Sequence, residues 1–346
     1  MSTRITYRAA VAAALAAAGT VALPGTASAQ ATTTVTATTA PLVKGLYQSA
    51  YSERNDALWV TVSNGRPPVT ATSLLKVDPD TLAVERTITP PVTDATTGAR
   101  EAVYGVAVDD EHNTVWVTNT RNNTVAVYSQ KDGSHLATLP DVAHAREIVV
   151  DERHNTVWAT AFGSGALVAY DSKTLEEKRR ITVEGASPAG VTVNERTGTV
   201  YATDLAGDRI IAVTRQSDTP VFVPTGDGPI SISLSGNGST AYTADQTAGT
   251  VSVVDLKQGT VTKSVATGAG ALSLDTDERS GDVVVVNRTA ATVTVVDPRA
   301  GVVEETVTTA ANPNHVEVTD GRAYVVDKSG AGAAGADQVT RIDLGH

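Results

Sequence analysis

The sequence predicts an all-β protein: a seven-bladed β-propeller with four-stranded antiparallel blades, its ring closed by an N-terminal strand. Three observations predict it. A short strand-like segment recurs seven times, a second strand follows each copy, and the 3.6-residue apolar spacing of helical repeats is absent. The segment reads ALWVTV from Ala57, TVWVTN from Thr114, TVWATA from Thr156, TVYATD from Thr199, TAYTAD from Thr240, DVVVVN from Asp282 and RAYVVD from Arg322. Its third position holds Trp59, Trp116, Trp158, Tyr201, Tyr242, Val284 and Tyr324, at steps of 57, 42, 43, 41, 42 and 40 residues. β-branched and aromatic residues in runs this short are strand formers.

Each repeat then supplies its other elements. The following strand is seen as TVAVYS from Thr124 or TVSVVD from Thr250. A preceding strand recurs as GVAVDD from Gly105 and EIVVDE from Glu147, and a fourth near His135–Leu139 or Thr260–Val265. Asp with Pro, Thr or Gly between the third and fourth strands closes hairpins. The last copy stops at Leu344, after its third strand, so its outer strand must come from elsewhere. The Thr-rich segment Thr32–Thr39 is the expected donor, which also covers a sheet edge.

Residues 1–29 read as a Sec signal peptide. Arg4 and Arg8 precede an Ala/Val/Leu run from Ala9 to Leu23, and Ala27-Ser28-Ala29 has the small-x-small form of a cleavage site. Residues 30–346 are then one propeller domain, secreted or held in the cell envelope, with no membrane span and expected as a monomer. The absence of cysteine rules out disulfides, thiolate chemistry and cysteine metal sites. The formal charge is −11, and loss of Arg4 and Arg8 makes the exported chain more acidic still. Such a surface repels phosphate backbones, which argues against nucleic acid as a partner. No HExxH, nucleophile elbow, P-loop, dinucleotide-binding glycine pattern or haem motif is present, so no cofactor is expected.

The aromatic-Val-Thr-Asn pattern, plainest at Trp116-Val117-Thr118-Asn119, resembles the YVTN β-propeller repeat, and the chain as a whole is similar to the YncE-like secreted or periplasmic propellers. The resemblance covers nearly all of the chain after the leader. It implies the fold and leaves the function open: members of related seven-bladed folds include calcium-dependent lactonases and amine dehydrogenase subunits, and some relatives bind single-stranded DNA.

A site is expected where the first strands enter the central channel, on what we term the upper face. Spacing from the aromatic segment to the next strand is 10 residues in five repeats and 16 in the first and last. The added length lies in Ser63–Thr72 and Lys328–Asp337, and a further insertion, Thr89–Arg100, joins blades 1 and 2. These place the ligand or partner site at blades 7, 1 and 2, with Ser329–Ala336 as a flexible flap at most. Ahead of the first strands stand Tyr47, Gln48, Tyr104, Arg146, Glu147, Asn314 and His315. At the ends of the second strands stand Asn119, Asp204, Asp245, Asn287 and Asp327, with Arg121, Arg288 and Lys328 just beyond. His112 and His154, in equivalent turns, belong to the opposite face; His144 and His315 approach the upper face on different blades. The expected function is non-enzymatic binding of a small molecule or protein. The alternative is a lactonase-like hydrolase in which converging carboxylates and amides hold Ca²⁺ at the channel mouth.

Overall fold

The computed structural model describes residues 35–345. Seven four-stranded antiparallel sheets succeed one another along the chain, each running from the channel outward, with one additional two-stranded hairpin. The inner strands are Leu46–Ser52, Val103–Asp109, Ala145–Asp151, Pro188–Asn194, Pro229–Leu234, Ala271–Thr276 and Pro313–Thr319 in blades 1 to 7. The repeated aromatic segment is the second strand of every blade, as at Thr114–Asn119.

Blade 7 confirms the closure. Its three C-terminal strands are completed by Thr36–Pro41, paired antiparallel with Gln338–Asp343 from Thr36 opposite Asp343 to Pro41 opposite Gln338. The strand begins four residues later than Thr32, and residues 32–34 of the expected segment, like the leader at 1–29, lie outside the described residues. The Thr36 hydroxyl donates to Asp343 at 2.8 Å, which helps fix the register.

The core is distributed, not central. Among the described residues, seven clusters of buried apolar side chains bridge neighbouring blades; six span one junction, and the one between blades 5 and 6 also takes in Ala189 of blade 4. Trp59 and Ala50 of blade 1 pack with Val103 and Val115 of blade 2, and Tyr324 and Val326 of blade 7 pack with Leu46 and Leu58 of blade 1. Trp59 and Trp116 are wholly buried. Burying each large side chain contributes about 1.5–3 kcal/mol, so the repeated aromatic holds its blade to a neighbour in six blades, and Val284 takes its place in blade 6.

A second device stitches the inner strands, and it differs between two parts of the ring. Each inner strand carries one extra residue near its upper end, a β-bulge against the second strand. In blades 1 to 4 the bulge faces a buried threonine: Thr61, Thr118, Thr160 or Thr203. Its hydroxyl accepts the freed inner-strand N–H, as from Gly105 to Thr118 at 2.8 Å, and from Gln48, Glu147 and Gly190 in the other three blades. In blades 1 to 3 the same hydroxyl donates to a carbonyl of the next blade: Tyr104, Arg146 or Ala189. Blades 5 to 7 have Ala244, Val286 and Val326 at this position, and these residues pair directly with the inner strand. There the side chain comes from the inner strand instead. Ser231 accepts from Leu274 N–H, Ser273 from Val316 N–H and His315 from Ser49 N–H, each in the next blade, at 3.2, 3.2 and 3.3 Å. A buried N–H without an acceptor costs about 1–3 kcal/mol, and the two halves meet that requirement by different residues.

The three insertions meet at one side of the upper face. Residues 89–100 form the small hairpin Val92–Asp94 with Ala99–Arg100, and Arg100 N–H donates to the Val69 carbonyl of the first insertion at 2.9 Å. Ser63 N–H donates to the Gly45 carbonyl, and Asp337 at the end of the third insertion accepts from Gly45 N–H at 2.6 Å and Leu46 N–H at 3.2 Å. The other Asp337 oxygen accepts from Gly330 N–H at 2.9 Å. Ser329–Ala336, expected as a flexible flap at most, is therefore tied near both ends and holds a short 3₁₀ turn at Ala333–Gly335.

Candidate functional site

The channel wall is made of two rings of inner-strand residues. The lower ring sits opposite the repeat aromatic and comprises Ala50, Ala107, Val149, Thr192, Ser233, Asp275 and Glu317. Two residues earlier along each strand lies the upper ring: Gln48, Gly105, Glu147, Gly190, Ser231, Ser273 and His315. Residues of both rings, with Tyr104, Arg146 and Asn314 above them, line a cavity of about 210 Å³.

Apart from Lys328, the upper mouth gathers eight of the fourteen residues singled out from the sequence. Gln48 donates through Nε2 to Glu147 Oε1 at 2.7 Å, crossing from blade 1 to blade 3. The Tyr47 and Tyr104 rings lie 4.6 Å apart. Asn314 donates through Nδ2 to the Tyr47 carbonyl at 2.6 Å and accepts a hydrogen bond from the Arg288 guanidinium on Oδ1. Arg146 approaches Glu147 only to 4.0 Å, its guanidinium stands 5.9 Å from the Phe162 ring centre, and its buried Nε has no hydrogen-bond partner. Lys328 completes the mouth: its Nζ donates to the Leu46 carbonyl at 2.7 Å and sits 3.6 Å from the centre of the Tyr47 ring.

Burial sets the charge states here. It pushes the Glu147 carboxyl up to about 7, against the opposing effects of Arg146 and the Gln48 hydrogen bond. It pushes the Lys328 ammonium down to about 8 and holds the Tyr104 hydroxyl above its usual range. His315 is pushed down to about 4 and is neutral at physiological pH. Because His315 Nδ1 accepts from Ser49 N–H, the neutral ring carries its proton on Nε2.

Below the mouth, Asp275 and Glu317 were not foreseen. Asp275 accepts from Val318 N–H at 2.9 Å, and Glu317 accepts from Tyr51 N–H at 3.0 Å, each in the next blade. Burial raises both carboxyls, and each is raised by a neighbouring carboxylate, Glu317 by Asp275 itself. The signal was present in the sequence, since Asp275 follows Ser273 and Glu317 follows His315 by the two-residue period of a strand face.

The second-strand ends do not converge on the channel. Asn119, Asp204, Asp245, Asn287 and Asp327 are wholly or almost wholly buried in the blade walls, where they clamp their own loops. Asp245 accepts from Thr243, Thr250 and Ser252 at 2.8, 3.0 and 2.6 Å. Asn287 donates to Thr294 at 2.9 Å, and Asn119 to Thr124 at 3.0 Å. Asp204 takes Ser187 N–H and Arg209, and Asp327 takes the N–H groups of Ser329 and Gln338. Side chains committed in this way have little left to offer a ligand, although the buried Asn119 Oδ1 keeps no hydrogen-bond partner. Arg121 is exposed beyond its strand. His144 packs on Phe162 with ring centres 5.4 Å apart, while His112 and His154 hydrogen-bond Asp109 and Asp151 within their hairpins. Among the described residues, no group of three or more His, Cys, Asp or Glu side chains is arranged to hold a metal ion.

Comparison with known proteins adds a name to the repeat. The chain is 26% identical to YncE of Escherichia coli O157:H7 over 236 residues, 63% of this chain and 64% of that one. It is 25% identical to YncE of Salmonella typhi over 234 residues, with the same coverage. The chain is similar to the YncE propellers. The match spans just under two thirds of the length of these relatives, and no protein-family model matches. Among solved structures, virginiamycin B lyase from Staphylococcus aureus superposes with a TM-score of 0.70 at 12% identity, covering 90% of this chain and 100% of the lyase. A catalytically inactive variant of that lyase with quinupristin gives 0.72, at the same identity and coverage. Hydrazine synthase of Kuenenia stuttgartiensis gives 0.70 at 13% identity, covering 83% of this chain and 93% of that one. At such identities the likeness of the YncE-like chain to these enzymes shows the fold alone. No helix of its described residues is long and apolar enough to cross a membrane.

Proposed function

We propose that the protein is an exported, non-enzymatic binding propeller whose ligand seats at the upper mouth of the channel, beneath the insertions of blades 7, 1 and 2. The observation that carries this reading is the ordered mouth itself. Tyr47, Gln48, Tyr104, Glu147, Arg288 and Asn314 come from five blades and are held by one another's hydrogen bonds and ring contact. Side chains fixed before a ligand arrives lose little freedom on binding. The pinned Lys328–Asp337 loop extends the same rigid rim.

The hydrolase reading requires a cation at this mouth, and Arg146, Arg288 and Lys328 oppose one there by like charge. The test is a thermal-shift screen of a metabolite library against the wild type, Tyr104→Ala and Asn314→Ala. Compounds that raise the melting temperature of the wild type by several degrees and leave the variants unmoved support the reading. A library that yields no mouth-dependent ligand overturns it. Added Ca²⁺ followed by chelator is expected to leave the melting temperature unchanged; a rise reversed by chelator would transfer the proposal to a metal-dependent hydrolase.

A further inference from the structure

Resting on the binding role proposed above, we infer that the upper mouth takes an anion: a small molecule whose carboxylate or phosphate seats among Arg146, Arg288 and Lys328 beside Tyr104. The chain as a whole carries a formal charge of −11, yet this mouth collects three cations from blades 3, 6 and 7. Several arginines elsewhere in the blades meet carboxylates at close range, as Arg179 meets Asp218 at 2.5 Å, Arg180 meets Glu177 at 2.6 Å and Arg209 meets Asp204 at 2.9 Å. At the mouth they do not. Arg288 is met by the neutral amide oxygen of Asn314, Lys328 by a backbone carbonyl and an aromatic face, and Arg146 by Glu147 only at 4.0 Å.

A guanidinium presents five N–H donors in a planar fork suited to carboxylate or phosphate. Arg146 leaves its buried Nε without any acceptor. Gathering three cations out of water is costly, and a bound anion adds to the partial compensation given by Glu147 and Asp337. Arg146, Glu147 and Arg288 all act on the Tyr104 hydroxyl, and Asp337 and Arg288 both act on Lys328, so the three cations surround one locus with carboxylates at its edges. Arg288 is also aimed in advance, because Asn314 holds it while donating in turn to the Tyr47 carbonyl. Glu147 bounds the locus from below, so the anion belongs on the Arg288–Lys328 side of Tyr104.

Calorimetric titration of the purified protein with succinate, inorganic phosphate and uncharged succinamide, at constant ionic strength, tests the inference. Succinate or phosphate is expected to bind and succinamide to give no heat. Arg288→Gln and Lys328→Met are each expected to weaken the anion about tenfold or more, with thermal melts confirming that both variants fold. Arg86→Gln, on the outer strand of blade 1, leaves binding unchanged. Silence with both anions, equal binding of succinamide, or anion binding that survives the Arg288→Gln/Lys328→Met double variant overturns the inference. A neutral compound lost on Tyr104→Ala also overturns it while leaving the binding role intact. The binding role fails separately, when no ligand of any charge depends on the mouth.

Discussion

Blades 1 to 4 and blades 5 to 7 solve one backbone problem with residues on different strands. In the first group a second-strand threonine fills the bulge and, from blades 1 to 3, reaches the next blade. In the second group that position is apolar and the polar atom moves to the inner strand, as Ser231, Ser273 and His315. The difference has a functional side. Where threonine does the stitching, the inner strand is released to carry glycine, as at Gly105 and Gly190, or side chains that face the mouth, as at Gln48 and Glu147. Where the inner strand does the stitching, its polar groups are already committed. Asp275, Glu317 and His315 look like catalytic candidates by residue type, but each holds a backbone N–H of its neighbour.

The sharpest way to break this comparison is at Gly105. A Cβ there would lie 2.5 Å from the Arg146 carbonyl oxygen and 2.8 Å from the Thr118 hydroxyl. Gly105→Ala is expected to force blades 2 and 3 apart and cost about 3 kcal/mol, read as a lower denaturant midpoint. A change under 0.5 kcal/mol, within the usual range for surface substitutions, would mean that the inner strands do not approach as described.

Next in size is the pair Thr118→Val and Ser273→Ala. Thr118→Val removes both an acceptor and a donor, from Gly105 N–H and to the Arg146 carbonyl, and is expected to cost about 2–3 kcal/mol. Ser273→Ala leaves one N–H, that of Val316, without its acceptor and is expected to cost about 1 kcal/mol. Chemical denaturation of both variants reads the difference; equal losses would erase the distinction between the two halves.

The smallest effect is a slope with pH. The Glu317 carboxyl is raised by burial and by Asp275, so the folded state holds its proton at pH values where the unfolded chain, ionising near about 4.3, has released it. Stability must then fall as pH rises through that interval. His315 acts oppositely, its folded value of about 4 lying below the ordinary 6.5, so its contribution grows as pH rises from about 4 and is complete above 6.5. Melting temperatures taken between about pH 6.5 and 7 therefore read the buried carboxyls, below the range in which Lys328 loses its proton. Glu317→Gln keeps an acceptor for Tyr51 N–H and is expected to flatten the decline; a slope identical to wild type would show that Glu317 is ionised throughout.

The ring was legible because its determinants are local and repeated: an aromatic at a fixed step, β-branched neighbours and Asp-led hairpins. Asp78 shows the last of these, accepting from Thr81 N–H at 2.7 Å in the turn where Asp-Pro-Asp-Thr foretold a hairpin. The eight residues at the channel mouth were legible from strand register. The five Asn and Asp at the second-strand ends were misplaced, because register gives a residue's height in the blade and not the direction of its side chain. A partner five residues on was nevertheless in view, as Thr124 for Asn119 and Thr250 for Asp245. Asp275 and Glu317 fall outside the expected site because they lie one two-residue period below the mouth on the same strands.

The strand Thr36–Pro41 meets a partner some three hundred positions away in sequence, so among the described strands its pairing has the longest loop to close. Contacts of such separation form slowly, since the intervening chain must first be ordered. Completion of the circle is thus the expected final event of folding. Until then the early strand waits as an open end, and a circular permutant that joins it directly to its distant partner would reach the native state sooner without altering a single contact at the channel.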